Sequence, residues 1–177
     1  MGINLLTEVL SEGIKDTYAA EWQFSKFLSL IKLMSKSNPL LLILENQFSE
    51  TQNQIKRLKN ILLILDSEYD NKICEGMKGL ICEAKDLINQ IKDRNVLDAA
   101  LIYSVQKMVH YMICASGSLE TFSNLLKLHE VSDLIRENLN ELSASEEELN
   151  RIAKYDVNID ALYSKQDNGS SLNYTVN

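Results

Sequence analysis

Two glutamates interrupt helical stripes that are otherwise largely apolar, and buried carboxylates are groups that can do chemistry. Glu21 comes four residues after Thr17 and three before Phe24 on the apolar stripe of the first predicted helix. Glu50 lies in the polar middle of the second helix's stripe, which consists of Ile43, Gln47, Glu50, Gln54, Leu58, Ile61 and Leu65. An ionised carboxylate is too costly to bury alone, so it becomes neutral, pairs with a cation or binds a metal ion.

The last long helix adds two more carboxylates to this set, one on its inward stripe and one at the edge of that stripe. The residual candidates for an iron or manganese site are Glu21, Glu50, Glu141 and Glu146, and the candidates to support them by hydrogen bonds are Gln54 and His110. A carboxylate-bridged two-metal bundle takes a glutamate from each of two helices and a Glu-x-x-His pair from each of the other two. Glu50 is followed at three residues by Asn53, and no acidic residue accompanies His110. Half of such a site is therefore missing.

The alternative interpretation is that these side chains are ordinary hydrogen-bonded core groups. Glu21 and Glu50 would then be neutral or hydrogen-bonded, reaching Gln54, a tyrosine hydroxyl, His110 or water. His110 would be a neutral core histidine with both ring nitrogens hydrogen-bonded. We favour this interpretation over metal binding for both glutamates and for the histidine.

No other pattern in the chain points to a catalytic site. There is no phosphate-binding glycine loop, no Cys-x-x-Cys pair and no serine in a nucleophile elbow. The formal net charge of -7 disfavours a nucleic acid or an anionic membrane as the main partner. We therefore expect no catalytic residues, and no cofactor unless it is a metal ion.

The sequence favours a cytoplasmic protein. No segment approaches the roughly 20 apolar residues of a membrane-spanning helix, and the N-terminal residues lack the basic region of a signal peptide. Cys74, Cys82 and Cys114 cannot all pair, and the first two would lie about 12 Å apart along one helix. We expect all three thiols to be reduced and buried.

Helix breakers are scarce, with one proline and six glycines in 177 residues. Apolar periodicity predicts helices over about 4–35, 38–66, 73–92, 96–126 and 129–154, with Asn38 capping the second and Pro39 in its first turn. Two long helices, a short one and two more long ones predict an all-α, ferritin-like four-helix bundle, with the short extra helix in the crossover between the second and third long helices. We expect one domain over residues 1–163 and a disordered tail over residues 164–177.

Several stretches of the chain resemble a known family. They are the segments 15–21, Glu50-Thr51 with Gln54 and Arg57-Leu58, 74–80, 98–102, Gln106-Lys107, His110-Tyr111 and 139–149. On these stretches, from about Leu6 to Asn158, the chain resembles the ferritin-like YciE/YciF family of bacterial stress-related proteins. The resemblance implies a ferritin-like fold, frequent dimers, a suspected di-metal centre in some members and no settled biochemical activity.

The departures from that family bear directly on function. Typical members carry acidic residues where this chain has Lys78, Val109, Met112 and Leu142, whereas Glu21 and Glu50 remain. The resemblance therefore implies a degenerate metal centre, since apolar side chains supply neither charge nor oxygen donors. The favoured hypothesis is a non-catalytic structural or interaction protein, as a homodimer.

Two other hypotheses stay open. One is a metal-binding protein that retains a residual carboxylate site for iron or manganese. The other is a redox or peroxide-handling enzyme, which would need two metals and more ligands than the sequence offers.

Overall fold

The structure, a computed structural model, describes residues 3, 5–69 and 71–164. Its helices are α1 (Leu6–Ile31), α2 (Asn38–Ile64), α3 (Glu75–Gln90), α4 (Arg94–Leu125), α5 (His129–Ile152) and α6 (Asn158–Tyr163), with one turn of π-helix (Ala153–Val157) joining the last two. The predicted all-helical bundle is confirmed. The predicted tail lies outside the described residues except for Ser164, whose N–H donates to the carbonyl of Asp160.

The four long helices α1, α2, α5 and α4 form a closed ring in which each packs against the next. The crossover helix α3 lies outside this ring and contacts α1 and α4, while α6 and the π-helical turn pack at the start of α4. None of the helices among the described residues has the length and apolar character needed to cross a bilayer.

The start of α2 differs from the prediction. Ser37, not Asn38, is the N-cap, because its backbone is still extended and its hydroxyl accepts a hydrogen bond from the N–H of Leu40. Asn38 is already helical, and Pro39 is tolerated beside it because a first-turn residue needs no N–H donor.

The core is divided lengthwise into two apolar clusters. The larger cluster surrounds Phe24, Leu28 and Met108, and the smaller one surrounds Leu10 and Ile61. Between them, at the middle of the bundle, lies a layer of buried polar side chains that we call the polar layer: Thr17, Glu21, Gln47, Thr51, Gln54, Asn138 and Ser145. The polar residues at the centres of the sequence's apolar stripes thus lie together in the middle of the bundle.

Candidate functional site

Glu21 is the buried acid of the polar layer. Its side chain is 1% exposed, and its Oε2 atom has no hydrogen-bond partner. Burial, and then the negative charge of Glu141, raises the pKa of Glu21 to about 8. The carboxyl is therefore mostly protonated at neutral pH and can donate a hydrogen bond.

The remaining unsatisfied polar atoms lie in the same layer. Throughout the described part of the chain, the buried side-chain oxygens and nitrogens without a partner are Glu21 Oε2, Gln47 Nε2, Thr51 Oγ1 and Gln54 Oε1. Buried polar groups are normally paired, so the concentration of unpaired atoms in this layer marks it as the place where the core departs from ordinary packing. The polar layer thus holds hydrogen-bond donors and acceptors without partners, together with the protonated carboxyl of Glu21.

Glu141 is held by a guanidinium at the edge of the layer. Arg57 Nη1 donates to Glu141 Oε2 at 2.9 Å and Nη2 donates to Oε1 at 2.6 Å, a two-point pair. Gln54 Nε2 also donates to Oε2, at 3.0 Å. Arg57 further reaches Asn138 and Glu137 on α5. Its pKa is raised, chiefly by the hydrogen bond with Glu141.

Glu50 lies beside the layer but opens to solvent. It lines a cleft of about 190 Å³ between α2 and α5 with Gln47, Ser145 and Glu148. Ser145 Oγ donates to Gln47 Oε1 inside this cleft. Burial raises the pKa of Glu50, and the like charges of Glu141 and Glu148 add to that effect.

His110 and Glu146 meet on a different side of the bundle. His110 Nε2 lies 3.2 Å from Glu146 Oε1, and the histidine side chain is 61% exposed. The prediction of a core histidine is wrong, because Val109 and Met112 are the residues of this turn that face the core, and His110 lies on the solvent side of α4. Glu146 contacts α4 through His110, whereas Glu141 contacts α2.

The structure does not gather the predicted metal ligands into one set. Within residues 3, 5–69 and 71–164, no three His, Cys, Asp or Glu side chains come together in a group able to hold a metal ion. Val109, Met112 and Leu142 are fully buried in the larger apolar cluster. Lys78 is exposed and pairs with Glu75 on its own helix, not with Glu21 or Glu50.

The cysteine prediction is correct only in part. All three cysteines are free thiols, but Cys82 and Cys114 are exposed and only Cys74 is buried. Cys74 Sγ lies 3.1 Å from Tyr111 Oη and 3.3 Å from Asp16 Oδ2. Burial raises the pKa of this thiol above its usual range, so the protonated form is favoured.

Comparison with known proteins places the chain in a family. A family model described as a domain of unknown function, DUF892, matches residues 5–162. The protein YciF of Escherichia coli K12 is 32% identical over 162 residues, covering 89% of this chain and 96% of its own length. The chain belongs to the DUF892 family. The resemblance to the YciE/YciF proteins is thereby confirmed.

Two solved structures of similar proteins agree with this assignment to DUF892. The crystal structure of the E. coli stress protein YciF superposes with a TM-score of 0.83 at 29% identity, over 88% of this chain and 99% of that one. YcfI of Rhodopseudomonas palustris, described as a putative structural protein, gives a TM-score of 0.81 at 32% identity, over 84% and 94%. The fold is therefore shared over nearly the whole described chain.

Sequence reasoning missed the role of several residues in this DUF892 chain. Arg57, Asp16 and Tyr111 stood in the stretches that carry the resemblance, but nothing in the sequence showed their partners. For Arg57 the available signal was its place three residues after Gln54, which puts both on one face of α2. Pairing it with Glu141 required knowing how α2 and α5 face each other.

Proposed function

We propose that this protein is a non-catalytic structural or interaction protein of the stress-related YciF group, acting as a homodimer, in which the place of a di-metal centre is taken by a hydrogen-bonded polar layer. Two comparisons support the proposal. The relative from E. coli is described as a stress protein, and the one from R. palustris as a putative structural protein.

The observation that carries the proposal is the Arg57–Glu141 pair. The guanidinium engages both oxygens of Glu141, at 2.9 and 2.6 Å, so that neither is left as a strong metal ligand. A fixed positive charge at this position also repels a divalent cation, and the repulsion is stronger in a partly buried site than in water. The pair thus replaces a metal ion as the partner of the carboxylate.

The state of Glu21 supports the same conclusion. Metal ligands bind in their deprotonated form, so a carboxyl with a pKa of about 8 must first lose its proton at neutral pH. Val109, Met112 and Leu142 stand where typical family members have acidic residues, and their buried apolar side chains offer a metal ion no oxygen or nitrogen ligand. The surroundings of Glu21 therefore fit a protonated, neutral carboxyl better than a two-metal centre.

A polar layer of this kind has a structural use. Buried polar groups that find partners only in one arrangement favour one register of the packed helices. Gln54 and Arg57 on α2 donate hydrogen bonds to Glu141 on α5. Ser145 on α5 donates to Gln47, which lies two turns earlier on α2. These hydrogen bonds therefore link α2 and α5 at two heights along the bundle. The contribution of the layer is specificity of helix pairing.

One observation favours a second candidate function, residual iron or manganese binding. Glu50 and Glu148 line the same cleft between α2 and α5, and Glu50 is only half-buried. Two carboxylates that open to solvent are accessible to a hydrated divalent ion, whereas Glu21 is enclosed. This candidate places the ion beside Glu50.

Metal content distinguishes these two functions. The protein would be expressed in medium supplemented with iron and manganese, purified without chelator and analysed by elemental mass spectrometry, together with Glu21→Gln, Glu50→Gln and the exposed control Glu45→Gln. We expect no more than about a tenth of an equivalent of either metal in every sample, and no change in melting temperature with chelator. Stoichiometric metal that is lost in Glu21→Gln or Glu50→Gln but retained in Glu45→Gln would establish metal binding instead.

A further inference from the structure

A groove between α1 and α3 has the make-up of a ligand site. Its volume is about 360 Å³, within the range of about 300–1,000 Å³ of small-molecule pockets. Phe27, Leu30 and Ile81 supply its apolar surface. The Phe27 ring is almost fully buried at 3% exposure and forms the floor, whereas Leu30 is 51% exposed and stands at the side.

The rim of this groove is cationic. Lys26 of α1 and Lys78 and Lys85 of α3 line it, and no carboxylate of the described chain does so. Lys78 pairs with the exposed Glu75, and the ammonium of Lys26 lies 5.6 Å from the ring centre of Trp22. Lys26 and Lys85 form no ion pair with any described carboxylate, although the chain as a whole carries a net charge of -7. The groove is thus a local positive site on an acidic protein.

The geometry points to a binding site for a free single-chain anionic amphiphile, that is, an alkyl chain with a carboxylate, sulfate or phosphate headgroup. The chain lies against Phe27, Leu30 and Ile81, and the lysine ammonium groups hold the headgroup. Burying the chain supplies the hydrophobic free energy, and the charge on the headgroup selects anions over neutral or cationic amphiphiles.

The dimensions of the groove favour a small ligand over a macromolecule. Its lining residues run from 23 to 30 on α1 and from 78 to 85 on α3, about 10 Å along each helix at 1.5 Å per residue. A stable protein interface buries about 1,200 Å² or more, far beyond three apolar side chains. An anionic membrane would be repelled by the net charge of -7, whereas a single anion responds mainly to the nearby Lys26 and Lys85.

Cys82 makes the site directly testable. Its thiol lies in the groove and is exposed, while Cys114 is an exposed thiol on α4 that does not line the groove. In the full-length protein, decanoate below its micelle-forming range should slow alkylation of Cys82, as measured by peptide mass spectrometry, and leave Cys114 unchanged. Protection should reach about tenfold when decanoate is present at about ten times its Kd, because the fraction of protein without ligand is 1/(1 + [L]/Kd).

The controls separate the headgroup from the alkyl chain. We expect decyltrimethylammonium and decanol to protect Cys82 much less than decanoate, and the double variant Lys26→Gln/Lys85→Gln to lose most of the protection. Lys59→Gln, which removes an exposed lysine of α2 far from the groove, should retain it. Equal slowing at Cys82 and Cys114, protection that survives the double variant, or binding to anionic phosphatidylglycerol vesicles without protection by decanoate would each overturn the proposal.

Discussion

At the scale of single residues, the protonation of Glu21 has a consequence for stability. The carboxyl titrates near 4.5 when unfolded and near 8 when folded, because burial disfavours its charged form. Between these pH values the folded protein keeps a proton that the unfolded chain has released. The free energy of unfolding contributed by this group therefore falls as pH rises through that window, by up to about 1.4 kcal/mol per pH unit, and levels off above it.

Glu21→Gln should remove this pH dependence, since an amide does not titrate. As pH rises from 5 to 8, the free energy of unfolding of the variant should increase relative to that of the unchanged protein. This trend is expected whichever of the two proteins is more stable at pH 5. Urea unfolding followed by circular dichroism at several pH values measures the difference, with the exposed Glu45→Gln as control. Parallel stability curves for Glu21→Gln and the unchanged protein would show that Glu21 is ionised in the folded state.

At the scale of secondary-structure elements, one carboxylate ties the turn between α1 and α2 to α4. Asp98 is 2% exposed on α4 and accepts hydrogen bonds from the backbone N–H of Ser37 at 2.8 Å and of Lys36 at 3.1 Å. Ser37 is itself the N-cap of α2. The N–H groups of Lys36 and Ser37 precede the first turn of α2 and have no helical carbonyl to bind, so Asp98 supplies their acceptor where the chain reverses direction.

Asp98→Ala should destabilise the fold by about 1.5–3 kcal/mol, the usual contribution of hydrogen bonds to a charged group. The cause is the loss of partners for the N–H groups of Lys36 and Ser37. Asp86→Ala, at an exposed position on α3, should change the free energy of unfolding by no more than about 0.5 kcal/mol. Equal effects of the two substitutions in urea unfolding would contradict this role for Asp98.

At the scale of the whole molecule, exposed apolar side chains lie toward both ends of the bundle, and one group of them surrounds the end that holds the smaller apolar cluster. The start of α1, the end of α2 and the end of α4 meet there, as the smaller apolar cluster shows. The exposed residues at this end are Leu5, Leu6, Val9, Leu63, Ile64 and Leu125. Grouped apolar side chains on a surface are typical of interaction sites, so we propose this end as the interface of the proposed homodimer.

If this end forms the proposed dimer, Leu63→Glu should weaken it, since the Leu63 side chain is 71% exposed in the single chain. Burying a leucine contributes about 1.5–3 kcal/mol, and a symmetric dimer loses that amount twice, so the dissociation constant should rise by at least about a hundredfold. Leu33→Glu is the matched control, because Leu33 is 80% exposed near the opposite end. Sedimentation analysis would contradict this placement of the interface if both variants, or only Leu33→Glu, shifted toward monomer.

The sequence alone determined which segments are helical and that certain side chains are buried. Apolar residues repeated at helical spacing specify which residues share a face, and this information is local. The same reasoning placed Glu21 and Gln54 inside, where the structure has them at 1% and 0% exposure. Bundle connectivity followed from the order and length of the helices.

The tertiary structure decided which polar groups meet. Arg57 and Glu141 are 84 positions apart, and their pairing depends on how α2 and α5 are rotated against each other. A helix turns by about 100° per residue, so an uncertainty of one position decides whether a side chain such as His110 faces the core or solvent. The chemistry of the polar layer, including the protonation of Glu21, depends on those neighbours and therefore emerges only when the helices are packed.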